Sequence, residues 1–379
     1  MDESGEPFPA GVGEADARGG EAAGEDDRVN LNLLGLGHFH PGNEITNRFL
    51  EDLDIGTNDE WILERTGIRS RRTALPLDYI RETRNRDPRA GIEAAEMSNA
   101  VMGARAAEMA LARAGIGASD VGLVLAGGCA PDTTAPAEAC NIAALLDIEV
   151  PSLDVSSACT SFIAGIYLLS LMDPAKLPPH VLLVTAEPMT RTVDYDDRSS
   201  AVLWGDGALA AVISTRERGR ARLLGHHLIS APQNADKVVV PRIGHFHQEG
   251  RAVQTFAIRR TGDLLDVCRE ELEEPDRAFH FVGHQANLRM LESVCKRSEI
   301  PVDRHHSNVE WFGNTGGASS GSVLSQSWDK WTDRDDVCVV GVGSGLTWGS
   351  YVARFEGPNG AGASDTAVRE TAANVGGEG

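Results

Sequence analysis

The stretch Asp154-Val155-Ser156-Ser157-Ala158-Cys159-Thr160-Ser161 lies where a short apolar strand, residues 152–155, ends and a run of helix-forming residues, 162–172, begins. A cysteine at a helix start is close to unpaired backbone N–H groups and to the positive end of the helix dipole. Both favour the thiolate, which is the reactive form of sulfur. The stretch therefore predicts a nucleophilic Cys159 in a strand-to-helix connection of an α/β protein.

Two polar residues far downstream complete a chemical set. His284 follows a predicted strand, residues 278–282, and Asn314 precedes a predicted helix, residues 319–328. A nucleophilic cysteine with one histidine and one asparagine is suited to acyl transfer. Taken alone, each has another interpretation, because cysteine often serves as a small buried apolar residue and histidine as a hydrogen-bonded core residue.

Strand-like and helical patterns alternate along the rest of the chain, which predicts an α/β fold. The predicted strands are residues 29–36, 121–126, 181–186, 208–214 and 337–342. The predicted helices are residues 57–65 with Thr57 as cap and Glu60 completing a capping box, 98–114, 136–146, 261–272 and 288–298. Residues 75–95, which are charged and contain Pro76 and Pro88, are interpreted as a long surface excursion. Cys159 and Asn314 each stand at a helix start, which suggests a tandem repeat of one unit.

Composition excludes several classes of protein. The chain has 379 residues, 41% of them hydrophobic, and a formal net charge of −21, which argues against nucleic-acid binding. No apolar run approaches the length of a membrane helix, and the acidic start does not resemble a secretion signal, so we expect a cytoplasmic protein. Six cysteines without a CxxC pair or a zinc-like spacing predict neither a disulfide scaffold nor a metal site.

Both ends of the chain are acidic and poor in apolar residues. Residues 1–28 carry nine acidic residues against two arginines, and residues 358–379 continue the pattern. Such composition is typical of disordered tails. The predicted organisation is therefore a tail at 1–28, a first half at 29–215 with the nucleophile, a second half at 216–357 with His284 and Asn314, and a tail at 358–379.

Six segments in order resemble the β-ketoacyl-acyl-carrier-protein synthase III family, within the thiolase fold. They are Asp59-Glu60-Trp61-Ile62-Leu63-Glu64-Arg65-Thr66-Gly67-Ile68-Arg69, Ser157-Ala158-Cys159, Trp204-Gly205-Asp206-Gly207-Ala208, His284-Gln285-Ala286-Asn287-Leu288-Arg289, Gly313-Asn314-Thr315 and Gly345-Leu346-Thr347-Trp348-Gly349. The resemblance implies two duplicated βαβαβαββ halves in a five-layered αβαβα arrangement, and a homodimer. It also implies that Cys159 is acylated and that His284 and Asn314 serve the second half-reaction.

The resemblance implies further site residues. The backbone N–H groups of Cys159 and, by family position, Ser344 would form the oxyanion hole, although residues 343–345 could equally be an ordinary tight turn. Trp61, Arg65, Arg198 and Trp204 are expected to bind substrate, the first three at the coenzyme A entrance. Arg289, Lys296 and Arg297 share one helix face that could dock an acidic carrier protein; a solvated face is the alternative.

Ala135 departs from the family pattern. The family often has a bulky aromatic residue just before the proline of the predicted 136–146 helix, where it limits acyl-chain length. The smaller Ala135 predicts a primer that is longer or bulkier than acetyl. This and other departures, such as Gly316-Gly317 after Asn314-Thr315, suggest a specialised enzyme of secondary metabolism.

The leading functional prediction is a decarboxylative Claisen synthase. It would load an acyl group from an acyl thioester, carried by coenzyme A or a carrier protein, onto Cys159 and join it to a malonyl-type thioester, giving a 3-oxoacyl thioester without a cofactor. One alternative is an acyltransferase of the same fold acting on an alcohol, an amine or a non-malonyl carbon acid. Another is a non-catalytic partner subunit of a second synthase. A degradative thiolase is disfavoured, because residues 343–345 contain no second cysteine.

Overall fold

The computed structural model describes residues 31–356, so the two acidic tails predicted at 1–28 and 358–379 lie outside the described residues. The strands are β1 (Leu31–Phe39), β2 (Asn43–Thr46), β3 (Ser70–Thr73), β4 (Leu123–Gly127), β5 (Ser152–Asp154), β6 (Val181–Glu187), β7 (Gly207–Ser214), β8 (Ala221–Ser230), β9 (Val238–Val239), β10 (His247–Gln248), β11 (Ala278–Gly283), β12 (Asp335–Gly343) and β13 (Thr347–Phe355). The helices are α1 (Asn47–Asp52), α2 (Asp59–Thr66), α3 (Leu77–Thr83), α4 (Pro88–Ala94), α5 (Asn99–Ala114), α6 (Glu138–Leu145), α7 (Ser161–Ser170), α8 (Arg198–Ala201), α9 (Gly250–Leu272), α10 (Leu288–Arg297), α11 (Val309–Phe312) and α12 (Ser319–Gln326).

Nine strands form one mixed sheet in the order β11-β12-β13-β8-β1-β7-β6-β4-β5. The sheet repeats one pairing scheme on its two sides. On one side β4 pairs parallel to β6, β6 antiparallel to β7, and β7 antiparallel to β1. On the other, β11 pairs parallel to β12, β12 antiparallel to β13, and β13 antiparallel to β8. The two sides join where β1 and β8 pair over only three residues, Leu31–Leu33.

The helices complete five layers, αβαβα. Helices α7 and α12 pack against strands of both sides and form the central layer. Helices α5 and α6 cover the outer face of the β1-to-β5 side, and α9 covers the outer face of the β8-to-β11 side with α10 beside it. Most residues of α7 and α12 are buried, which is the pattern of helices enclosed between two sheets. The change of side falls between β7 and β8; the division of the chain into halves at residue 215 stays a prediction.

Local signals explain the elements that the sequence predicted well. Helix α5 is rich in alanine, its cap Ser98 accepts a hydrogen bond from the backbone N–H of Val101 at 3.1 Å, and Gly115 ends it with a left-handed φ of 72°. Strand β6 is a continuous buried run, as expected for a strand covered on both faces.

Two local predictions were wrong. Helix α2 is capped by Asn58, whose Oδ1 accepts from the backbone N–H of Trp61 at 2.8 Å, and not by Thr57. The predicted surface excursion at 75–95 instead contains α3 and α4 and buries Leu75 and Ile80 completely. Pro76 and Pro88 stand at or beside the first helical positions, where proline is tolerated.

Within residues 31–356, no helix combines the length and the apolar character that a membrane crossing requires.

Candidate active site

On each side of the sheet, neighbouring parallel strands place polar residues together at their carboxyl ends. On one side, β5, β4 and β6 are adjacent, and Cys159, Cys129 and Glu187 stand at or beyond their carboxyl ends. On the other, β11 and β12 are adjacent, and His284 and Ser344 follow their carboxyl ends. Because the carboxyl ends of parallel neighbours meet at one edge, each side collects its own polar residues there. Contacts of Gly343 and His284 with Cys159 bring the two groups together.

Cys159 lies in a short 3-10 turn, Ala158–Thr160, that leads directly into α7. The pKa of its thiol is lowered well below the usual value, first through a hydrogen bond with Cys129 and then through His284, although burial opposes the shift. The backbone N–H of Cys159 contributes in the same direction. The neighbouring side chains, rather than the helix start alone, therefore favour the thiolate.

His284 is nearly buried beside Cys159. Its backbone N–H donates to the carbonyl of Val340 at 2.8 Å, which extends the β11–β12 pairing by one residue. Its Nδ1 shares a 3.0 Å hydrogen bond with the hydroxyl of Ser319, the first residue of α12. This bond fixes the ring and leaves Nε2 as the nitrogen available to the sulfur.

Asn314 is held in place through its backbone. Its N–H donates to the carbonyl of Leu203 at 2.8 Å, and its carbonyl accepts from Gly205 at 3.0 Å. The side-chain Oδ1 accepts from the N–H of Gly316 at 3.0 Å, so the NH2 group is the part of the amide that remains to donate to a substrate. The turn that follows contacts the Cys159 turn, since a Cβ built at Gly317 would lie 3.1 Å from the carbonyl oxygen of Ala158.

The glycine turn after β12 lies against Cys159. A Cβ at Gly343 would lie 3.1 Å from both the backbone nitrogen and the Cβ of Cys159. The hydroxyl of the next residue, Ser344, donates to the carbonyl of Val238, so the side chain is engaged elsewhere. The turn is therefore adjacent to the thiol, and the oxyanion role of the Ser344 N–H stays a prediction.

The three residues predicted for the coenzyme A entrance lie together. The guanidinium of Arg65 lies over the indole of Trp61 at 4.5 Å from the ring centroid, and that of Arg198 at 4.9 Å. Arg198 also donates to the carbonyl of Gly56. The fourth predicted residue, Trp204, is different: it is only 4% exposed and packs edge-on against Phe246, which makes its side chain part of the core beside the Asn314 backbone.

Ala135 and the predicted docking residues lie on the surface. Ala135 is exposed. On α10, Arg289 donates to the carbonyls of Leu63 and Glu64 and pairs with Glu292, and Arg297 pairs with Asp263, while Lys296 is exposed. The face is therefore less positive than its three basic residues suggested, because two of them already have acidic partners.

Two residues of the site were not predicted. Cys129, to which the sequence analysis assigned no role, is half-buried and its sulfur lies 3.7 Å from that of Cys159. Glu187 is fully buried, and its carboxylate accepts from the N–H groups of Cys129 at 2.8 Å and Gly317 at 2.7 Å. Their one sequence signal is their place at the ends of apolar strand-like runs, as for Cys159.

Comparison with known proteins identifies the family. The family model described as 3-oxoacyl-[acyl-carrier-protein (ACP)] synthase III matches residues 153–232, and the model of its C-terminal part matches residues 271–355. The β-ketoacyl-[acyl-carrier-protein] synthase III of Oceanobacillus iheyensis is 34% identical over 331 residues, which is 86% of this chain and 99% of the relative. This chain belongs to the β-ketoacyl-acyl-carrier-protein synthase III family.

Solved structures of synthase III proteins agree with this assignment. The 3-oxoacyl-(acyl carrier protein) synthase III of Pseudomonas aeruginosa PAO1 matches with a TM-score of 0.74 at 30% identity, covering 86% of this chain and 98% of that one. The priming β-ketosynthase of the R1128 polyketide pathway matches with a TM-score of 0.73 at 26% identity, covering 87% and 98%. The chain therefore has the thiolase fold of the synthase III family and is a condensing enzyme of the transferase class.

Proposed function

We propose that this synthase loads an acyl group from an acyl thioester onto Cys159 and condenses it with a malonyl-type thioester. The observation that carries the proposal is the thiol of Cys159, which has a lowered pKa and lies between Cys129, from one side of the sheet, and His284, from the other. The thiolate attacks the thioester carbonyl and the Cys159 acyl bond forms as the carbon–sulfur bond to the carrier breaks. The departing thiolate takes up the proton that the Cys159 thiol gave up.

The second step forms the carbon–carbon bond. The bond between the malonyl carboxylate and its neighbouring carbon breaks, carbon dioxide leaves, and the electron pair remains as an enolate. The NH2 of Asn314 and a ring N–H of His284 are the donors for the enolate oxygen. The carbanion attacks the acyl carbonyl, and collapse expels the Cys159 thiolate together with a 3-oxoacyl thioester. The scheme uses side chains and thioester substrates and includes no metal or cofactor.

Two backbone N–H groups are proposed to stabilise the oxyanion of each tetrahedral intermediate. They belong to Cys159 and to Ser344 in the abutting glycine turn. Each such donor is worth about 3–4 kcal/mol in known oxyanion holes.

Both thioester carriers have a proposed surface. The indole of Trp61 carries two stacked guanidiniums, so an adenine can stack on it by displacing one arginine, which is then free to meet a phosphate. For an acidic carrier protein, the exposed Lys296 is the stronger contact on α10, because Arg289 and Arg297 would first exchange their internal partners.

A homodimer is proposed from the exposed edge of the nine-stranded sheet. Strand β5 is an edge of the nine-stranded sheet. Leu153 on this strand is 45% exposed, and Leu145 on the neighbouring helix α6 is 54% exposed. An exposed apolar edge strand can pair with the same strand of a second copy.

The size of the primer is proposed from Ala135. This residue is exposed on the single chain, so it can border an acyl group only where a second copy or the substrate covers it. A preference for primers larger than acetyl rests on this residue and stays a proposal. A place in secondary metabolism rests on it together with the other departures, such as Gly316-Gly317, and also stays a proposal.

The deciding experiment weighs the intact protein after incubation with acetyl, branched, long-chain and aryl thioesters of coenzyme A, and then adds a malonyl thioester. We expect a mass increase equal to one acyl group, located on Cys159, followed by carbon dioxide release and a 3-oxoacyl product. Cys159→Ala is the matched control and should show no adduct.

The alternatives give different outcomes. An adduct that transfers to an alcohol or amine without carbon dioxide release would favour the acyltransferase. No adduct from any thioester would favour a non-catalytic partner subunit and would contradict the proposal.

A further inference from the structure

A second thiol lies in the reaction centre. The sulfur of Cys129 is 3.7 Å from the sulfur of Cys159, within hydrogen-bond distance for two sulfur atoms. Cys129 follows β4 and Cys159 follows β5, and these strands are parallel neighbours, so the fold itself places the two thiols side by side. Both residues are half-buried.

The surroundings decide which sulfur keeps its proton. Cys159 faces His284 and its own backbone N–H, both of which favour a negative sulfur. Cys129 faces the Glu187 carboxyl group, and the pKa of its thiol is raised well above the usual value, first by the hydrogen bond with Cys159 and then by burial. Cys129 is therefore the S–H donor, and the Cys159 thiolate is the acceptor.

Glu187 holds the donor in place. It is fully buried, and its two carboxylate oxygens accept separately from the N–H of Cys129 and the N–H of Gly317. It thereby links the loop after β4 to the turn that follows Asn314. The carboxylate fits there because Gly316 and Gly317 lack side chains: a Cβ at either would lie 2.7 Å and 3.1 Å from Oε1.

We propose that Cys129 is a further residue of the synthase reaction centre, which donates its S–H to the Cys159 sulfur while Glu187 positions its loop. The proposal rests on Cys159 being the acylated nucleophile. Acylation of Cys159 removes the charged acceptor of this hydrogen bond. The hydrogen bond forms again when the tetrahedral intermediate of the condensation step expels the Cys159 thiolate. Cys129 therefore stabilises the leaving sulfur of the condensation step as well as the resting thiolate.

The test is the pH dependence of iodoacetamide alkylation at Cys159, followed by peptide mass spectrometry in the full-length protein. The titratable groups facing this sulfur are Cys129 after β4, Glu187 at the end of β6 and His284 after β11, and only the first is changed. We expect Cys129→Ala to raise the alkylation midpoint by about one pH unit, a tenfold change in the proton equilibrium. Cys129→Ser, which keeps a donor, should restore part of the shift.

Further measurements separate a chemical role from a packing role. Condensation kcat should fall about tenfold in Cys129→Ala with little change in KM, because the S–H bond acts on the leaving sulfur. Cys140→Ala, which removes an exposed thiol, should match the wild type. An unchanged midpoint in folded Cys129→Ala, or equal shifts for Ala and Ser, would overturn the proposal.

The wild type supplies a readout that needs no variant. Alkylating Cys159 removes the acceptor, so the infrared S–H stretching band of Cys129 should move to higher frequency; a band that does not move would also overturn the proposal. Failure of the proposed function is distinguishable, because it appears as the absence of an acyl adduct on Cys159, whatever the alkylation midpoint.

Discussion

The turn before α7 and the turn before α12 have nearly the same backbone, but they carry different side chains. Each is a 3-10 turn, Ala158–Thr160 or Gly316–Ala318, followed at once by a helix whose first residue is a buried serine. Each begins with a positive φ, 48° at Ala158 and 55° at Gly316. At the middle position one turn has Cys159 and the other has Gly317.

The serines show how the two turns diverged in use. Ser161 works locally: its hydroxyl accepts from the N–H of Ser157 at 2.9 Å and donates to the carbonyl of Ala158 at 2.7 Å. Ser319 instead contacts the ring of His284. One turn thus presents the Cys159 thiol, and the other, with no side chain at its middle position, orients a histidine and leaves room for Glu187. The repeated backbone is a scaffold, and the side chains determine the chemistry.

The largest expected effect comes from Asn314→Asp, which tests whether the second turn contributes chemistry at all. Aspartate keeps an oxygen for the N–H of Gly316 but replaces the NH2 donor with an acceptor. We expect the condensation rate to fall by about 10²–10³, the usual loss for one oxyanion donor. Acyl loading on Cys159, measured by intact mass, should be retained. Loss of loading and condensation together would mean that the two turns do not divide the half-reactions.

An intermediate effect on stability should distinguish the two positive-φ positions. In Gly316→Ala the new Cβ would lie 2.7 Å from the carboxyl carbon of Glu187, in a backbone conformation that already disfavours a side chain. We expect a loss of about 2–4 kcal/mol in the free energy of unfolding. The matched change, Ala158→Gly, relieves the same conformation and should stay within about 1 kcal/mol of wild type. Both free energies of unfolding are measured by urea denaturation. If Ala158→Gly lost as much stability as Gly316→Ala, the positive φ at Ala158 would not be a strain that glycine relieves, and the two turns would not be equivalent.

Much of this arrangement could be predicted from the sequence. Ser98 and Gly115 predict the two ends of helix α5, and the change from an apolar strand to a helix predicts the junction at Cys159. Strand β8 was missed because it combines Gly225 with two histidines and alternates poorly. Its partner β13 was missed because it follows the glycine turn without a separate boundary signal.

Cys129 and Glu187 could not be predicted from local patterns, for a physical reason. The contact of Cys129 with Cys159, and that of Glu187 with Cys129, depend on β5, β4 and β6 being neighbours in the sheet, although their order along the chain is different. Strand order is set by packing between distant segments, and no local pattern in the sequence carries it. Cys159 was predicted from its own strand-to-helix junction, whereas the roles of His284 and Asn314 in the same site relied on resemblance for this reason.

The smallest expected effect at any one step of an experiment, at most about 1.4 kcal/mol per pH unit, is a pH dependence that arises at Glu187 and reports on the contact between the two turns. Burial, then the charge of Cys159, raises the pKa of this carboxyl from 4.5 to about 8. Between these values the folded protein holds a proton that the unfolded chain releases, so the stabilisation is complete below pH 4.5 and is lost as the pH rises through about 8. The free energy of unfolding of wild type minus that of Glu187→Gln should therefore fall with rising pH by up to about 1.4 kcal/mol per unit, and then level off. Urea titrations across this window measure it, with Glu149→Gln, an exposed position, as the control that keeps the wild-type slope. A difference that does not vary with pH would mean that the carboxyl is already ionised, and that the second turn is held by a charge rather than by a proton.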